Sequence, residues 1–407
     1  MIRERLSNGM SVVIENRTQT ELAVVNILYK VGSAHEKPGK TGMAHLLEHL
    51  MFEGSKKFPN FDKTIHALSG ENNAYTTNDY TNYYEIIPAG NIETVLAIEA
   101  DRMNFLQISQ KKFLNQQQVV IEEFKESHLN MPYGMHWHYL CELMYPGHHY
   151  QWPVIGDSIE DIRSFELKEI NEFYHAFYNP SNVVVSVVGA IDEHQVMLYI
   201  QKYFGGIPSG PMANSVSPMN IEAVRKQKTM IEPVPQDQLY MAMLTPPRFD
   251  TTFYSMDLLS DILSNGQSSR LYKRLYKEEK LFSDIDSYVT ANIGQGLLII
   301  EGKMNEGISC EQGFEAIKRE LQELITIPIP SDELQKVKNK AESYCIYSNY
   351  QLSNRAANLA LFEAFDLVEN LLVEHQSYLQ VTENQIQDSL IDYYSNGVIG
   401  ELEYRNS

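Results

Sequence analysis

The sequence predicts an α+β protein of two duplicated domains, each a mostly antiparallel sheet packed by helices. Three observations lead to this prediction: a length of 407 residues, a Gly/Pro/Ser-rich stretch near the middle, and a similar order of segments in both halves. Domains commonly contain about 100–200 residues, so this length suffices for two. The predicted domains are residues 1–204 and 221–407, joined by a linker at 205–220.

The mid-chain stretch begins with Gly205-Gly206-Ile207-Pro208-Ser209-Gly210-Pro211 and continues to Pro218. Glycine and proline interrupt regular secondary structure, and this is the part of the sequence richest in Gly, Pro and Ser. Such a composition is typical of a linker between two domains.

Each half begins with strand-like segments and continues with helix-like ones. Met10–Glu15 and Glu21–Val31 are rich in β-branched residues, and Gln238–Leu244 takes the strand role in the second half. The apolar residues of Phe253–Leu263 then follow helical spacing, and Cys310–Thr326 has the pattern of an amphipathic helix. The same order in both halves favours a repeat.

The first helices of the two halves support the repeat. His45–Gly54 aligns without gaps with Asp257–Gly266, so that a pair of leucines and the final glycine match. His45, Glu48 and His49 of the first copy correspond in that order to an aspartate, a serine and an aspartate in the second. If the halves are a repeat, the second copy has no metal ligands and only the first carries the chemistry.

The strongest chemical motif is the His-x-x-Glu-His of this first copy. His45, Glu48 and His49 lie at positions i, i+3 and i+4 and therefore share one face of a helix. Two imidazoles one turn apart can bind one Zn²⁺, and the carboxylate between them can accept a proton from the attacking water. The alternative is an amphipathic helix with two solvent-facing histidines, but the apolar neighbours make unpaired histidines costly there.

A third ligand is expected from the acidic residues of Val119–Glu126. At ~100° per residue, Glu123 falls about 100° from the centre of the apolar stripe of this helix. Glu122 and Glu126 fall about 160° away, nearer to solvent. Glu123 is therefore the best candidate to reach an interior metal.

These motifs together resemble the zinc peptidases of the pitrilysin/insulinase family. The resemblance is to the half-length subgroup that contains the mitochondrial processing peptidase subunits and bacterial relatives. The matching segments are Gly42–Gly54, Asn73–Thr76, Thr81–Tyr84, Val119–Phe124, Pro153–Gly156 and Tyr178–Asn182, with a more diffuse match at Gly266–Leu275.

The resemblance implies a role for each residue of the predicted metal site. His45, His49 and Glu123 would be the Zn²⁺ ligands and Glu48 the general base. Many relatives also have an acid seven residues before the last ligand, where this chain has Gln116. An amide cannot act there as an ionised partner.

The resemblance also implies how a peptide substrate would bind. Asn73, Ala74 and Tyr75 would lie on an edge strand beside the metal, where the peptide adds as a further β-strand. Strand addition satisfies backbone groups whatever the side chains, so it favours extended peptides and unfolded segments. A turn-adjacent strand residue without this role is the alternative for Asn73.

One departure from the family concerns its C-terminal Arg and Tyr, which the resemblance implies bind substrate and stabilise the oxyanion. The Arg position holds Tyr276 and the Tyr position holds Ser283, whereas Arg274 and Tyr288 are out of register. Such donors are worth about 3–4 kcal/mol of transition-state stabilisation.

Two explanations of this departure stay open. The chain is either the zinc-bearing subunit of a heterodimer whose homologous partner supplies Arg and Tyr, or a homodimer with altered catalysis. The rival from a different functional class is a non-catalytic or weakly active assembly subunit of the same family. The intact zinc motif favours a metalloendopeptidase that needs a partner.

Composition restricts the remaining classes. The net charge of −20 argues against nucleic-acid binding, which needs basic surfaces. Three scattered cysteines cannot build a thiolate zinc site and suggest a reducing compartment. The first residues lack the apolar core of a secretion signal, and the longest apolar stretch, Val183–Ile191, is about half of a membrane span. A cytoplasmic protein without membrane association is expected, or a periplasmic one if a signal was removed.

Overall fold

A computed structural model describes residues 1–213, 219 and 224–407. These residues form two compact units, each assembled from three stretches of the chain. The first unit contains Met1–Phe124, the stretch that starts at Trp152, and Tyr347–Val373. The second contains Lys125–Gln151, the stretch that ends at Ile346, and Glu374–Ser407.

The strands, in chain order, are β1 (Ile2–Arg5), β2 (Ser11–Asn16), β3 (Leu22–Tyr29), β4 (Glu71–Thr76), β5 (Thr81–Pro88), β6 (Val183–Gly189), β7 (Val224–Glu232), β8 (Gln238–Pro247), β9 (Phe282–Val289), β10 (Gln295–Met304) and β11 (Val398–Asn406). The predicted strands at Met10–Glu15, Glu21–Val31 and Gln238–Leu244 are confirmed as β2, β3 and β8, with small shifts at their ends.

The helices, in chain order, are α1 (Met43–Met51), α2 (Phe61–Ala67), α3 (Ile92–Phe105), α4 (Gln110–Phe124), α5 (His136–Met144), α6 (Ile159–Arg163), α7 (Leu167–Phe177), α8 (Glu193–Phe204), α9 (Phe253–Ser264), α10 (Cys310–Thr326), α11 (Ser331–Ser348), α12 (Leu352–Ala364), α13 (Val368–Gln380) and α14 (Glu383–Leu390). The predicted helices Phe253–Leu263 and Cys310–Thr326 are confirmed as α9 and α10. No helix among the described residues is both long and apolar enough to cross a membrane.

The sheet of the first unit has the strand order β1-β2-β6-β3-β5-β4. Only β2 and β6 pair in parallel, and the other neighbours are antiparallel. Central β6 is buried along its whole length, as expected for a valine-rich strand with both faces covered. In contrast, β4 is an edge strand whose residues alternate between exposed and half-buried.

The sheet of the second unit repeats this arrangement. Its order, β7-β11-β8-β10-β9, matches β2-β6-β3-β5-β4 strand for strand, including the single parallel pair between the first two. Helices α1 and α9 occupy the same place in the two patterns, and Gly54 and Gly266 beyond them have φ of 99° and 94°. The predicted fold of two mostly antiparallel sheets, each packed by helices, is confirmed.

The two units exchange helices along the chain. From the first half, α5 belongs to the second unit and contacts β11, β7 and β8. From the second half, α12 belongs to the first unit and contacts β6, β3 and β2. The units are thus a different partition from the predicted domains 1–204 and 221–407, which stay a prediction. Within the predicted linker 205–220 and just after it, residues 214–218 and 220–223 lie outside the described part.

Candidate metal centre

The centre is built on α1, whose start requires a glycine. Gly42 has a φ of 91°, and a Cβ at this position would lie 2.5 Å from the carbonyl oxygen of Ile155. After it, Leu46, Leu47 and Leu50 are fully buried and fix the orientation of the helix. Residues three and four positions apart share a face, so burying the leucines directs the polar residues of the motif to a common side.

A buried carboxylate holds the first turn of this helix. Glu36 accepts hydrogen bonds from the backbone N–H groups of Gly42 and Ala44, both at 2.8 Å. These are N–H groups that a helix cannot satisfy by itself. Burial raises the pKa of Glu36 to about 8, and the hydrogen bonds from the backbone of Ala44 and Gly42 oppose that rise. Glu36 could not be recognised from the sequence, because it precedes the helix by too many residues to be an ordinary N-cap.

Three side chains of the predicted site meet in the structure. The Nε2 atoms of His45 and His49 are 3.3 Å apart. Glu123 Oε1 lies 3.8 Å from His45 Nε2, and Glu123 Oε2 lies 3.5 Å from His49 Nε2. Within residues 1–213, 219 and 224–407, no other three His, Cys, Asp or Glu side chains converge in this way.

This geometry fits a tetrahedral zinc ion. Two ligand nitrogens at 2.0–2.1 Å from one ion at tetrahedral angles are about 3.3 Å apart, as His45 and His49 are here. Two imidazoles and a carboxylate are also a donor set of catalytic zinc sites, which keep the fourth position open. Burial, and then the neighbouring His49, lower the pKa of His45 to about 3, so its imidazole is neutral and able to bind metal.

Glu48 lies on the same helix with its carboxylate buried. Its Oε2 accepts a hydrogen bond of 2.5 Å from the hydroxyl of Thr76, the last residue of β4. Burial raises the pKa of Glu48 to about 7, the Thr76 bond opposes that rise, and the charge of Glu123 adds to it. Thr76 lies in a segment that matches the family, but its role could not be predicted from the sequence because its partner lies 28 residues earlier.

The third residue, Glu123, is near the end of α4, which packs against α1. Buried Phe113, Val120 and Phe124 turn the helix so that Glu123 faces the two histidines. Neighbouring Glu122 is exposed and accepts a hydrogen bond of 2.7 Å from Gln118 on its own helix.

Gln116, at the position where the family resemblance implies an acid, has a local role in the structure. Its Nε2 donates a hydrogen bond of 2.7 Å to Glu53 Oε1. Glu53 also pairs with Lys112, whose Nζ lies 3.6 Å from Glu53 Oε2. The amide therefore contributes to a contact between α4 and the residues just after α1.

The predicted substrate residues lie on the edge strand. Asn73, Ala74 and Tyr75 are consecutive in β4, which pairs only with β5 among the described residues. The backbone N–H of Ala74 donates to the side-chain oxygen of Asn73 at 2.8 Å. Asn73 thus caps a backbone group of the strand edge.

The positions at which the family resemblance implies an Arg and a Tyr are filled differently in the second unit. Tyr276 stacks on Tyr272 with ring centroids 4.8 Å apart, and Ser283 is exposed at the start of β9. Arg274 binds Glu323 and lies 3.0 Å from Glu320 Oε2. Its guanidinium is thus engaged by acidic residues of its own unit.

The corresponding helix of the second unit, α9, has aspartates at the positions of the two histidines. Asp257, at the position of His45, accepts a hydrogen bond of 2.5 Å from the Tyr378 hydroxyl. Asp261, at the position of His49, accepts one of 2.6 Å from Asn265. Burial raises the pKa of both aspartates. These carboxylates are used in local hydrogen bonds. That only the first copy has metal ligands stays a prediction.

Comparison with known proteins identifies the relatives of this chain. The model of insulinase, peptidase family M16, matches residues 11–157, and that of the peptidase M16 inactive domain matches residues 164–341. A zinc protease named PqqE from Helicobacter pylori is 30% identical over 363 residues, which are 87% of this chain and 81% of that protein. A probable mitochondrial-processing peptidase subunit beta of Arabidopsis thaliana is 23% identical over 218 residues, 52% of this chain and 40% of that protein.

A solved structure has a similar fold. The crystal structure of a protease from Helicobacter pylori superimposes with a TM-score of 0.91 at 26% identity and covers 99% of both chains. Sequence, fold and the two-histidine helix thus agree with the resemblance inferred from the motifs. The chain belongs to the insulinase family of peptidases, family M16.

Proposed function

We propose that this chain is a zinc-dependent endopeptidase that acts on extended peptides or unfolded segments. The observation that carries the proposal is the convergence of His45, His49 and Glu123, with Glu48 on the same helix. Family membership supports it, because PqqE, a relative of similar length, is named a zinc protease.

In this proposal His45, His49 and Glu123 hold Zn²⁺, which in a three-ligand site acts as a Lewis acid and lowers the pKa of water to about 7. Glu48 accepts the proton of the attacking water and later gives it to the leaving amine. Its position next to His49 keeps its carboxylate on the face of α1 that carries the ligands.

The substrate is proposed to bind along β4. An extended peptide would pair with the open side of this strand at Asn73, Ala74 and Tyr75, replacing the bond between the Asn73 side chain and the Ala74 N–H. Because the contacts are to backbone groups, the proposal specifies an unfolded or extended substrate rather than a sequence.

A partner subunit completes the proposal. The chain has Tyr276 and Ser283 where relatives have Arg and Tyr, and Arg274 is engaged by Glu320 and Glu323. A homologous chain bearing the Arg/Tyr pair would supply the oxyanion donors, and the relative named as a processing peptidase subunit supports such an arrangement. A homodimer is the second arrangement to be tested.

The same missing pair favours one competing function, a non-catalytic or weakly active assembly subunit. Metal content and cleavage of an unfolded protein, measured for the wild type and Glu48→Gln, separate the two functions. Each is assayed alone and with an Arg/Tyr-bearing homologue from the same organism. We expect zinc in both proteins and cleavage only by the wild type with its homologue. Absence of cleavage in every mixture would favour the assembly subunit, and full activity of the wild-type chain alone would exclude the need for a partner.

A further inference from the structure

The hydrogen bond between Thr76 and Glu48 has a defined direction. Thr81, whose Oγ1 is 3.5 Å from that of Thr76, donates its own proton to the carbonyl oxygen of Val31 at 2.8 Å. The Thr76 proton therefore has two acceptors within reach, Thr81 Oγ1 at 3.5 Å and Glu48 Oε2 at 2.5 Å, and the much shorter distance assigns it to Glu48. This bond fixes one carboxylate oxygen of Glu48 and leaves Oε1 as the oxygen for proton transfer.

The donor lies on the strand proposed to receive the peptide. Thr76 ends β4, directly after Tyr75, and pairs with Thr81 of β5. Alternation along a strand puts Ala74 and Thr76 on the same side of β4. The strand that would hold the substrate thus also holds the carboxylate that would act on it.

We propose that Thr76 is a positioning residue for the general base: its hydroxyl orients Glu48 for proton transfer and ties that orientation to the substrate strand. This inference rests on the proposed peptidase function. Hydrogen bonds to charged groups contribute more than neutral ones, so the loss of this bond should reduce turnover at least about tenfold. Substrate affinity should change little, because strand addition uses backbone groups.

Four variants test the role of the hydroxyl. Thr76→Val removes it at nearly constant volume, Thr76→Ser keeps it, and Thr76→Ala provides the hydroxyl-free partner of the serine variant. The matched control is Thr229→Val on β7, an edge strand of the other sheet, where Thr229 donates to Glu403 at 2.7 Å. Each variant is prepared as the zinc-loaded assembly that cleaves peptide. Its kcat, its KM and its zinc content are then measured.

We expect the kcat of Thr76→Val and Thr76→Ala to fall at least tenfold, with KM within about threefold of the wild type and zinc content unchanged. Thr76→Ser should recover most of the loss, and Thr229→Val should match the wild type. Equal kcat values for the serine and alanine variants, or a loss confined to KM, would overturn the inference. If Thr76→Val does not fold, the comparison of kcat between Thr76→Ser and Thr76→Ala decides whether the hydroxyl is needed.

The Glu48→Gln variant distinguishes failure of the Thr76 inference from failure of the proposed peptidase function. If Glu48→Gln is as active as the wild type, or if no assembly cleaves peptide, the peptidase proposal fails first. If Glu48→Gln abolishes cleavage while Thr76→Val and Thr76→Ala keep the wild-type kcat, the function stands and the role of Thr76 is rejected.

Discussion

Arg355 Nη2 lies 2.6 Å from Glu15 Oε2, so an arginine of α12 is ion-paired with a glutamate of β2 that precedes it by 340 residues. Both side chains are almost fully buried. The pair attaches the helix contributed by the second half of the chain to the sheet of the first unit. The pair thus involves one of the two helices, α5 and α12, that belong to the unit of the other half of the chain.

Replacing this arginine should destabilise the first unit. In Arg355→Met the buried carboxylate of Glu15 keeps only its second partner, Arg17, so we expect the free energy of unfolding to fall by about 2 kcal/mol at pH 7. Denaturant unfolding measures the change. A matched control is Arg163→Met, whose exposed arginine lies 3.7 Å from Glu160 and should change stability by less than about 0.5 kcal/mol.

The contribution of Arg355 to the free energy of unfolding should also depend on pH. Burial raises the pKa of Glu15, but Arg355 and Arg17 outweigh burial and bring it below its ordinary value of 4.5. A lowered folded-state pKa gives stability that is present above the unfolded-state pKa and lost as pH falls through the folded-state value. The difference between wild type and Arg355→Met should therefore be constant from pH 6 to 8 and shrink below about pH 4.5. A difference that grows in acid would contradict this assignment.

Zinc should stabilise the chain through the three proposed ligands. A ligand at 100 times its Kd adds about 2.7 kcal/mol to the free energy of unfolding, so zinc should raise the Tm and a chelator should lower it again. His49→Ala should abolish the shift, whereas His66→Ala, on the exposed face of α2, should keep it. A zinc-dependent shift that survives in His49→Ala would place the metal elsewhere.

Glu36 should support both stability and metal binding. In Glu36→Gln one of the two backbone N–H groups, that of Gly42 or Ala44, faces an amide donor instead of an oxygen. We expect a loss of about 2 kcal/mol in unfolding free energy and weaker zinc binding, because both histidines lie on the helix so held. Glu21→Gln, at an exposed position, is the control. Unchanged zinc affinity and stability would show that the helix starts equally well without the carboxylate.

The proposed origin of the oxyanion donors can be tested by introducing Arg and Tyr into this chain. If a partner supplies the Arg/Tyr pair, the double variant Tyr276→Arg with Ser283→Tyr should cleave peptide without that partner, at least about tenfold faster than the wild-type chain alone. Each single variant serves as a control. No gain would mean that these two positions do not reach the reacting peptide.

The net charge of −20 should influence which peptides bind. Attraction between opposite charges is screened by salt, so KM for a lysine-rich peptide should rise between 50 and 500 mM NaCl. KM for a glutamate-rich peptide of equal length should fall over the same range. Equal salt dependence for both peptides would leave the charge without a role in substrate choice.

The sequence by itself determined what depends on local periodicity. The helical repeat places His45, Glu48 and His49 on one face, and the paired leucines fix that face, so the core of the site was predictable. The boundaries of α10 follow from a similarly local pattern. The repeat was also visible, because both copies keep the same apolar positions.

Only the tertiary structure decided which distant groups meet. That Glu36 holds the start of α1, that Thr76 binds Glu48, and that α5 and α12 are exchanged between the units depend on contacts between segments far apart in the chain. Such contacts leave no periodic trace, since a carboxylate or a hydroxyl looks the same in the sequence whether its partner is solvent or a buried group. Helix α1 could be predicted from its own residues. The contacts that Glu36 and Thr76 make with it are determined by tertiary packing.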